Sequence, residues 1–355
     1  MGDKIIVSGS TIIKLSIMII RYKYIHAVIG LVLLIGCGSK KHSLGMDDEI
    51  RIVCSKIDEP IIKKYLQTIF NDTIFTPKPE PVYKLFFYRP SSYQDLKKYA
   101  HLIIASVKRK NSNSGFRLIE DLLPEYQSNN SESENPLYLK RDLYAKDQVF
   151  MVINAINKDH LYTEFEKNKK FIHYHYNQQF NNRTNKFLFK DTQYEEEKKI
   201  KSDYNWDIKV PWGWEILKND RDSKVFWMGA EYPYRWLSVN WENGNMMNDE
   251  LVVGQKFWKS SKSHFGAISF SDYAFTLEKI YFNKSPGWRC TGVWASNDSL
   301  EAKGGPFQSF IFYDKTSNRT FHINTLVYSP GKAKAAYLRQ LEYIAKSINT
   351  SFKLD

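Results

Sequence analysis

The chain is expected to fold as α+β, in two sheet-and-helix domains, the second a mostly antiparallel meander packed by a C-terminal helix. Three observations predict this. Short runs rich in β-branched and aromatic residues recur in both halves, as at 149–155 and 320–328, and read as strands. Between them, 158–202 places Leu161, Phe165, Ile172, Tyr176, Phe180, Phe187 and Tyr194 at intervals of four and seven, which is one face of a helix. All nine Trp fall between Trp206 and Trp294, so the C-terminal part differs in composition from what precedes it. A hydrophobic content of 43% with 15% aromatic residues is enough to build cores and excludes a disordered chain.

Taken in order, 50–54 reads as a strand, and 59–70 carries Ile62, Tyr65, Leu66 and Ile69 at helical spacing. Pro77, Pro79 and Pro81 make 77–81 a rigid, extended connector. Strands follow at 82–88 and 101–107, separated by a short helix at 91–99 that opens on Ser91. The polar segment 128–135 reads as a loop, and 149–155 closes an N-terminal domain spanning 49–157. The helix over 158–202 then connects to the second domain, with Asn181 and Asn182 as the place where it would kink or split. The charge run 195–199 reads as a solvated face. The second domain, 203–355, opens with a strand and turn at 208–214. It continues with strands at 226–230, 237–241, 280–282, 288–295, 307–313 and 320–328, a helix at 249–260, and a polar turn at 314–318. Ser329 and Pro330 open a last helix, whose buried stripe is Tyr337, Leu341, Ile344 and Ile348.

The N-terminus carries a different signal. Arg21 and Lys23 precede a short apolar run, 27–35, which ends in Leu34, Ile35, Gly36 and Cys37. Basic residues, a brief apolar core and small residues form the order of a secretory signal. The run is too short for a spanning helix, which needs about 20 apolar residues. The earlier apolar patch at 12–20 is separate from it, and Met18 is the expected start of translation. Leu34 to Cys37 resembles the lipobox of bacterial lipoprotein signal peptides. That resemblance implies a diacylglycerol on the Cys37 thiol, removal of 1–36, and a tether over 37–48 that holds the folded part to a membrane. An uncleaved membrane anchor is the alternative. Gly38, Ser39, Lys40 and Lys41 lack the acidic cluster that resembles a surface-export signal in Bacteroidota lipoproteins, so the protein is expected to face the periplasm.

The formal net charge of +12 falls to +9 without the leader, whose four basic residues outnumber its one acid. The remaining Lys and Arg are spread along the chain, which speaks against a nucleic-acid site. Outside the cytoplasm Cys54 and Cys290 could form a disulfide, or remain two buried thiols. His173 and His175 are two apart, so they lie on different faces of their helix and are poor partners for one metal ion.

The segment from Trp288 onward resembles a family of uncharacterised Bacteroidota lipoproteins defined only as a domain of unknown function. The resemblance rests on Gly292-Val293-Trp294, the Gly304-Gly305-Pro306-Phe307 turn, Asp314, the step Tyr328-Ser329-Pro330, and the run from Tyr337 through Arg339, Gln340 and Leu341 to Glu342. Thr291, Lys303 and Ala335 depart from the family pattern, and its usual block before the meander is not recognisable in 254–276. The family implies location, not chemistry. The order of elements in the second domain is also similar to the Mog1/PsbP type of α/β sandwich, which implies binding or assembly.

No catalytic elbow, zinc helix, phosphate loop or dinucleotide fingerprint is present, and no cofactor is expected. The candidate binding residues are Trp212, Trp214, Arg289, Trp294, Gly304 and Gly305. Indole faces could stack on sugars or peptides, although most Trp fall at strand positions and read as core. Gly304 and Gly305 could expose backbone N–H groups to an anion, or simply turn the chain into the Phe307 strand. Arg339 and Glu342 either pair on the last helix or anchor it to the meander. The expected function is a lipid-anchored envelope protein with a non-catalytic binding or assembly role, its partners being the membrane and an envelope protein or glycan. The rivals are an enzyme acting on cell-wall glycan or peptide, and a purely structural lipoprotein.

Overall fold

Two sheets organise the chain, and each strand's pattern of apolar residues explains how its sheet is covered. The structure is a computed structural model that describes residues 40–76, 78–107, 112–123, 136–247, 268–297 and 303–350. The expected loop at 128–135, the helix at 249–260 and Cys37 lie outside the described residues.

The first sheet contains β1 (Glu49–Cys54), β4 (Lys84–Tyr88), β5 (His101–Ser106), β6 (Leu137–Arg141) and β7 (Val149–Asn154), in the order β4-β1-β5-β7-β6. The first four of that order run parallel, and β6 is antiparallel to β7. Parallel strands need crossovers on the faces, and so they read as unbroken apolar runs. Accordingly, every residue of β5 and β7 is buried. Ile62, Tyr65, Leu66 and Ile69 of α1 (Glu59–Ile69) cover one face. The other face carries α2 (Tyr93–Leu96), through Tyr93 and Leu96, and α3 (Ser114–Leu122), through Ile119. Sequence periodicity missed α3, which is signalled by its cap: Asn113 Oδ1 accepts from the N–H groups of Gly115 and Phe116. Gly115 sits where a Cβ would lie 2.9 Å from the carbonyl oxygen of Ala105, so only glycine lets the helix approach β5 this closely. The proline-rich connector is half of a hairpin, in which β2 (Thr73–Phe75) pairs with β3 (Pro79–Pro81).

The expected long helix is two helices, α4 (Lys158–Phe189) and α5 (Tyr194–Tyr204). The break falls at 190–193, not at Asn181 and Asn182. There the backbone pairs with an incoming segment instead: Gln193 N–H donates to Val210, Trp212 N–H donates to Asp191, and the Gln193 amide donates to Pro211 and Trp214 carbonyls. The buried stripe holds through Leu161, Phe165, Ile172, Tyr176 and Phe180, then continues at Thr184 and Leu188. Phe187, expected inside, is 72% exposed. Glu197 is buried rather than solvated, because its carboxylate accepts from the Val210 N–H at 3.1 Å and pairs with Lys209 at 2.9 Å.

The second sheet is antiparallel throughout. It contains β8 (Glu215–Asp220), β9 (Val225–Ala230), β10 (Tyr234–Asn243), β11 (Ile268–Phe282), β12 (Ser285–Ser296), β13 (Gly304–Asp314) and β14 (Arg319–Tyr328), in the order β11-β12-β13-β14-β10-β9-β8. Two meanders therefore meet where β14 pairs with β10. One face packs on α5 and on α6 (Ala335–Lys346) around Trp206, Trp214, Trp241, Phe310, Phe312 and Phe321. The opposite face carries Phe270, Cys290, Trp294, Phe307, Ile311 and Leu326. Arg319 of β14 donates to the last carbonyls of α5, at Tyr204 and Asn205, and so ties that helix to the sheet. The last helix starts at Ala335, later than Ser329 and Pro330, because Gly331 turns the chain first with φ +70°. Its buried side is Leu338, Leu341, Ile344 and Ala345, while Tyr337 is half-buried.

Residues Ser43–Asp355 form one compact unit that contains both sheets. Cys54 and Cys290 lie in different sheets as buried free thiols, and burial pushes both up to about 12. Among the described residues, no helix is long and apolar enough to cross a membrane.

Leu341 is fully buried. Leu341→Ala should therefore cost about 2–5 kcal/mol, through lost burial and the cavity left behind. Lys346→Ala removes a half-exposed pair to Glu342 and should cost less than about 0.5 kcal/mol. Urea melts of the two variants test this; equal midpoints would contradict the packing.

Candidate functional site: a cleft between two helices and the second sheet

A cleft of about 520 Å³ opens where α4, α6, β2 and the outer strands of the second sheet converge. Helical spacing supplies two of its walls. His173, Asn177 and Asn181 are four apart and form one row of α4, and Arg339, Glu342 and Lys346 recur at three and four on α6. Strand pairing supplies another. Glu278 on β11 lies directly opposite Arg289 on β12, and Thr276 opposite Thr291. The segment from Asp72 to Phe75 closes the remaining side.

Arg339 is the centre of this arrangement. Its Nη2 donates to Asn177 Oδ1 and Asn181 Oδ1, both at 2.5 Å, and its Nη1 reaches the Tyr83 hydroxyl at 3.4 Å. The guanidinium lies 3.7 Å from the centre of the Phe180 ring. Arg339 therefore anchors α6 to α4 rather than to the meander. Glu342 makes the contact to the meander, accepting from Gln308 Nε2 at 3.5 Å, and it pairs with Lys346 at 2.5 Å. At the start of α6, Glu80 of β3 accepts from the N–H groups of Lys334 and Ala335 at 2.6 and 3.2 Å. Burial pushes Glu80 up, but those donors, the Thr76 hydroxyl and the Lys334 ammonium hold it below the usual carboxylate range.

The other ionised groups of the cleft are also paired. His173 Nε2 is 2.5 Å from Asp72 Oδ2. That hydrogen bond, with Arg339 adding to it, holds Asp72 below its ordinary pKa against the opposing effect of burial. Arg289 pairs with Glu278, and the Thr276 and Thr291 hydroxyls are 2.6 Å apart. Burial raises the Tyr343 phenol. Arg289, Arg339 and Lys346 thus balance Asp72, Glu278 and Glu342. A second hollow, between β6 and α4, is lined by Leu137, Met151, Phe171 and Ile172, with Arg141 Nη2 2.9 Å from His175 Nδ1. Among the described residues, no group of three or more His, Cys, Asp or Glu is placed to hold a metal ion.

Of the six candidate binding residues, only Arg289 lines the cleft, although Arg339 and Glu342, singled out for their place on the last helix, line it too. Trp212 is 78% exposed in the turn before β8. Trp214 is buried, with the Arg235 guanidinium 5.6 Å from its ring. Trp294 is buried and donates to the Val327 carbonyl at 3.2 Å. Gly304 and Gly305 form neither a turn nor an anion nest. They are the first residues of β13, paired with Ala295 and Trp294, and a Cβ on Gly305 would lie 2.0 Å from the Val327 oxygen. Among the described residues, no Trp lines the cleft. Asp72 and His173 are 101 residues apart in sequence and carried no joint signal. Arg339 did carry one, as the only charged residue in the motif besides Glu342.

Residues 193–347 match the family model described as "Domain of unknown function (DUF4837)". No curated protein matches the chain. Among solved structures, the chain is similar to the Ran-binding protein Mog1p of Saccharomyces cerevisiae, at 10% identity and a TM-score of 0.32. That match covers 42% of this chain and 93% of Mog1p. A point mutant of Mog1 is matched at 10% identity and a TM-score of 0.31, over 41% of this chain and 91% of the other. A Bacteroides thetaiotaomicron protein is matched at 10% identity and a TM-score of 0.26, over 41% of this chain and 44% of that one.

Behind the α4 wall, His101 at the start of β5 is fully buried, its ring 5.5 Å from that of Tyr176. Burial, with Arg183 and Arg339 nearby, pushes its pKa down to about 3. The unfolded chain therefore takes up this proton near pH 6.5 while the folded chain does not. Stability from His101 is complete above that pH and is lost as the pH falls toward 3, by about 1.4 kcal/mol per unit. His175, lowered by its own burial and by Arg141, acts in the same direction. Urea midpoints from pH 7.5 to 5 should fall less steeply for His101→Leu than for the parent; parallel slopes would remove His101 from the account.

Proposed function

We propose that the chain is a lipid-anchored protein of the bacterial cell envelope that faces the periplasm. Its role is binding, and the cleft takes an extended segment of another envelope protein. The observation that carries this reading is the cleft's balanced set of paired charges. A polypeptide offers main-chain donors and acceptors in alternation and side chains of both signs, so it can exchange partners with these pairs without leaving a net charge buried. The wall at β2 is itself extended backbone, and Phe75, 44% exposed at its end, supplies an apolar anchor beside the polar rim. The N-terminal signal ending at Cys37, and the motifs from Gly292 to Glu342 with their resemblance to Bacteroidota lipoproteins, support the location.

A second reading, an envelope enzyme acting on glycan or peptide, is favoured by one feature. Asp72 and His173 form a carboxylate–imidazole pair at the cleft, the arrangement of an oriented general base.

Two measurements test the proposal. Cys37→Ser removes the thiol that would form the thioether, so it should abolish labelling by a palmitate analogue; equal labelling of variant and parent would defeat the anchor. For the cleft, a photoreactive residue at position 75 in intact cells should give a discrete protein adduct that is lost on Arg289→Glu. The same probe at Tyr232, 88% exposed and outside the cleft, should give none. The same adducts from both positions, or none from position 75, would overturn the cleft as the binding surface.

A further inference from the structure

The face of the second sheet opposite α5 and α6 has a polar centre. Antiparallel register sets Ser309 of β13, Asn324 of β14 and Ser238 of β10 side by side, with Trp227 of β9 next in the row. In the adjacent row on the same face, Asn240 lies opposite His322. All five polar residues are buried, Asn240 the least so at 8% exposed. Asn is depleted in strands, and an apolar residue would satisfy a packed face at lower cost, so this cluster is not what sheet stability alone selects.

The Ser309 hydroxyl donates to Asn324 Oδ1. Among the described residues, four buried polar atoms of the cluster have no hydrogen-bond partner: Ser238 Oγ, Asn324 Nδ2, and both Nδ2 and Oδ1 of Asn240. Buried polar groups in native proteins are almost always hydrogen-bonded, through protein, water or ligand. Here donors and an acceptor converge within two rows, flanked by indoles. Trp236, half-buried, stands two residues before Ser238 on the same strand face and packs edge-on against Trp294 at 5.7 Å. Gly229 opposite it has no room for a Cβ, which would lie 2.7 Å from the Trp236 ring, so the indole is held over the strand.

We propose that this face holds a second binding site, independent of the cleft, for a small neutral sugar. Ser238, Asn240 and Asn324 hydrogen-bond its hydroxyl or N-acetyl groups, and Trp227 and Trp236 take its apolar ring face. Neutral amide and hydroxyl groups beside aromatic rings match a sugar's two chemistries, polar at the edge and apolar on the face. The cluster itself holds no Asp, Glu, Lys or Arg; the charged residues further along these rows, Lys218 opposite Trp227 and Asp220 opposite Val225, lie 3.7 Å apart as a pair, so a neutral ligand is the better match.

The test uses the full chain in detergent, titrated with N-acetylglucosamine and glucose, with cationic glucosamine as the charged comparison. Tryptophan fluorescence and saturation-transfer NMR report binding. Saturable binding of a neutral sugar is expected, with a Kd in the millimolar range or tighter, weakened at least about tenfold by Asn240→Leu and by Asn324→Leu. Thermal melts confirm that the variants fold. Ser238→Ala, which deletes a single hydroxyl, carries the same test if the Leu variants do not. No saturable response from either neutral sugar, equal binding of glucosamine, or unchanged affinity in the folded variants would overturn the proposal and leave the cluster as a site for ordered water only.

Discussion

The last helix is capped by a residue from near the other end of the chain, and much of the architecture depends on that contact. A helix leaves its first N–H groups without partners inside the helix, and a carboxylate there satisfies them and complements the helix dipole. Lys334, in the cap position, offers no side-chain acceptor. Glu80 does so instead, from a hairpin 254 residues earlier, and Arg339 one turn further on clamps the same helix to α4. The opposite side of the helix buries Leu338, Leu341 and Ile344 in the core of the second sheet. One helix therefore belongs to both halves of the molecule.

The cleft is a consequence of that sharing. α6 packs over the inner strands of the second sheet, where Phe310, Phe312 and Phe321 meet Leu341 and Ile344. It leaves Thr276, Glu278, Arg289 and Thr291 on the outer strands facing α4 and β2 across open space. Helix and strand spacing then line that space with polar side chains, and most of the charged ones pair with another element, the opposite strand or, as Lys346 with Glu342, the next turn of their own helix. Such pairs hold a surface in one geometry and still exchange partners with an incoming polypeptide. This is why the balanced charge carries the proposed binding role.

The tryptophans show how composition and position differ. Their concentration in the second half marks it off, yet most of them fill the two faces of one sheet. Trp206 and Trp241 build the helix-covered core, and Trp294 serves the other side. Trp212, which is exposed, lies outside the cleft. Of the indoles at strand positions, Trp241 faces the helices whereas Trp227, Trp236 and Trp294 face away from them, so a run that looks like one aromatic platform in sequence is divided between two surfaces.

The sequence by itself determined the class of fold, because periodicity is local: apolar runs place β5, β7 and β14, and spacing by fours places α1 and most of α4. It also determined that α6 packs through Leu341 and Ile344. It could not locate the break between α4 and α5, since residues 190–193 leave the helix to pair with the segment before β8, and nothing in their own spacing announces that partner. For the same reason Glu197 read as solvated, although the fold brings Val210 and Lys209 to it. The cleft was almost wholly a tertiary outcome. Asp72 and His173, or Glu80 and Lys334, are ordinary polar residues until the chain places them within hydrogen-bond distance. Only the register of β10, β13 and β14 reveals that Ser238, Asn324 and Ser309 share one row. Local patterns are fixed by the chemistry of near neighbours, whereas a site needs groups far apart in the chain, and the positions of such groups are set by packing.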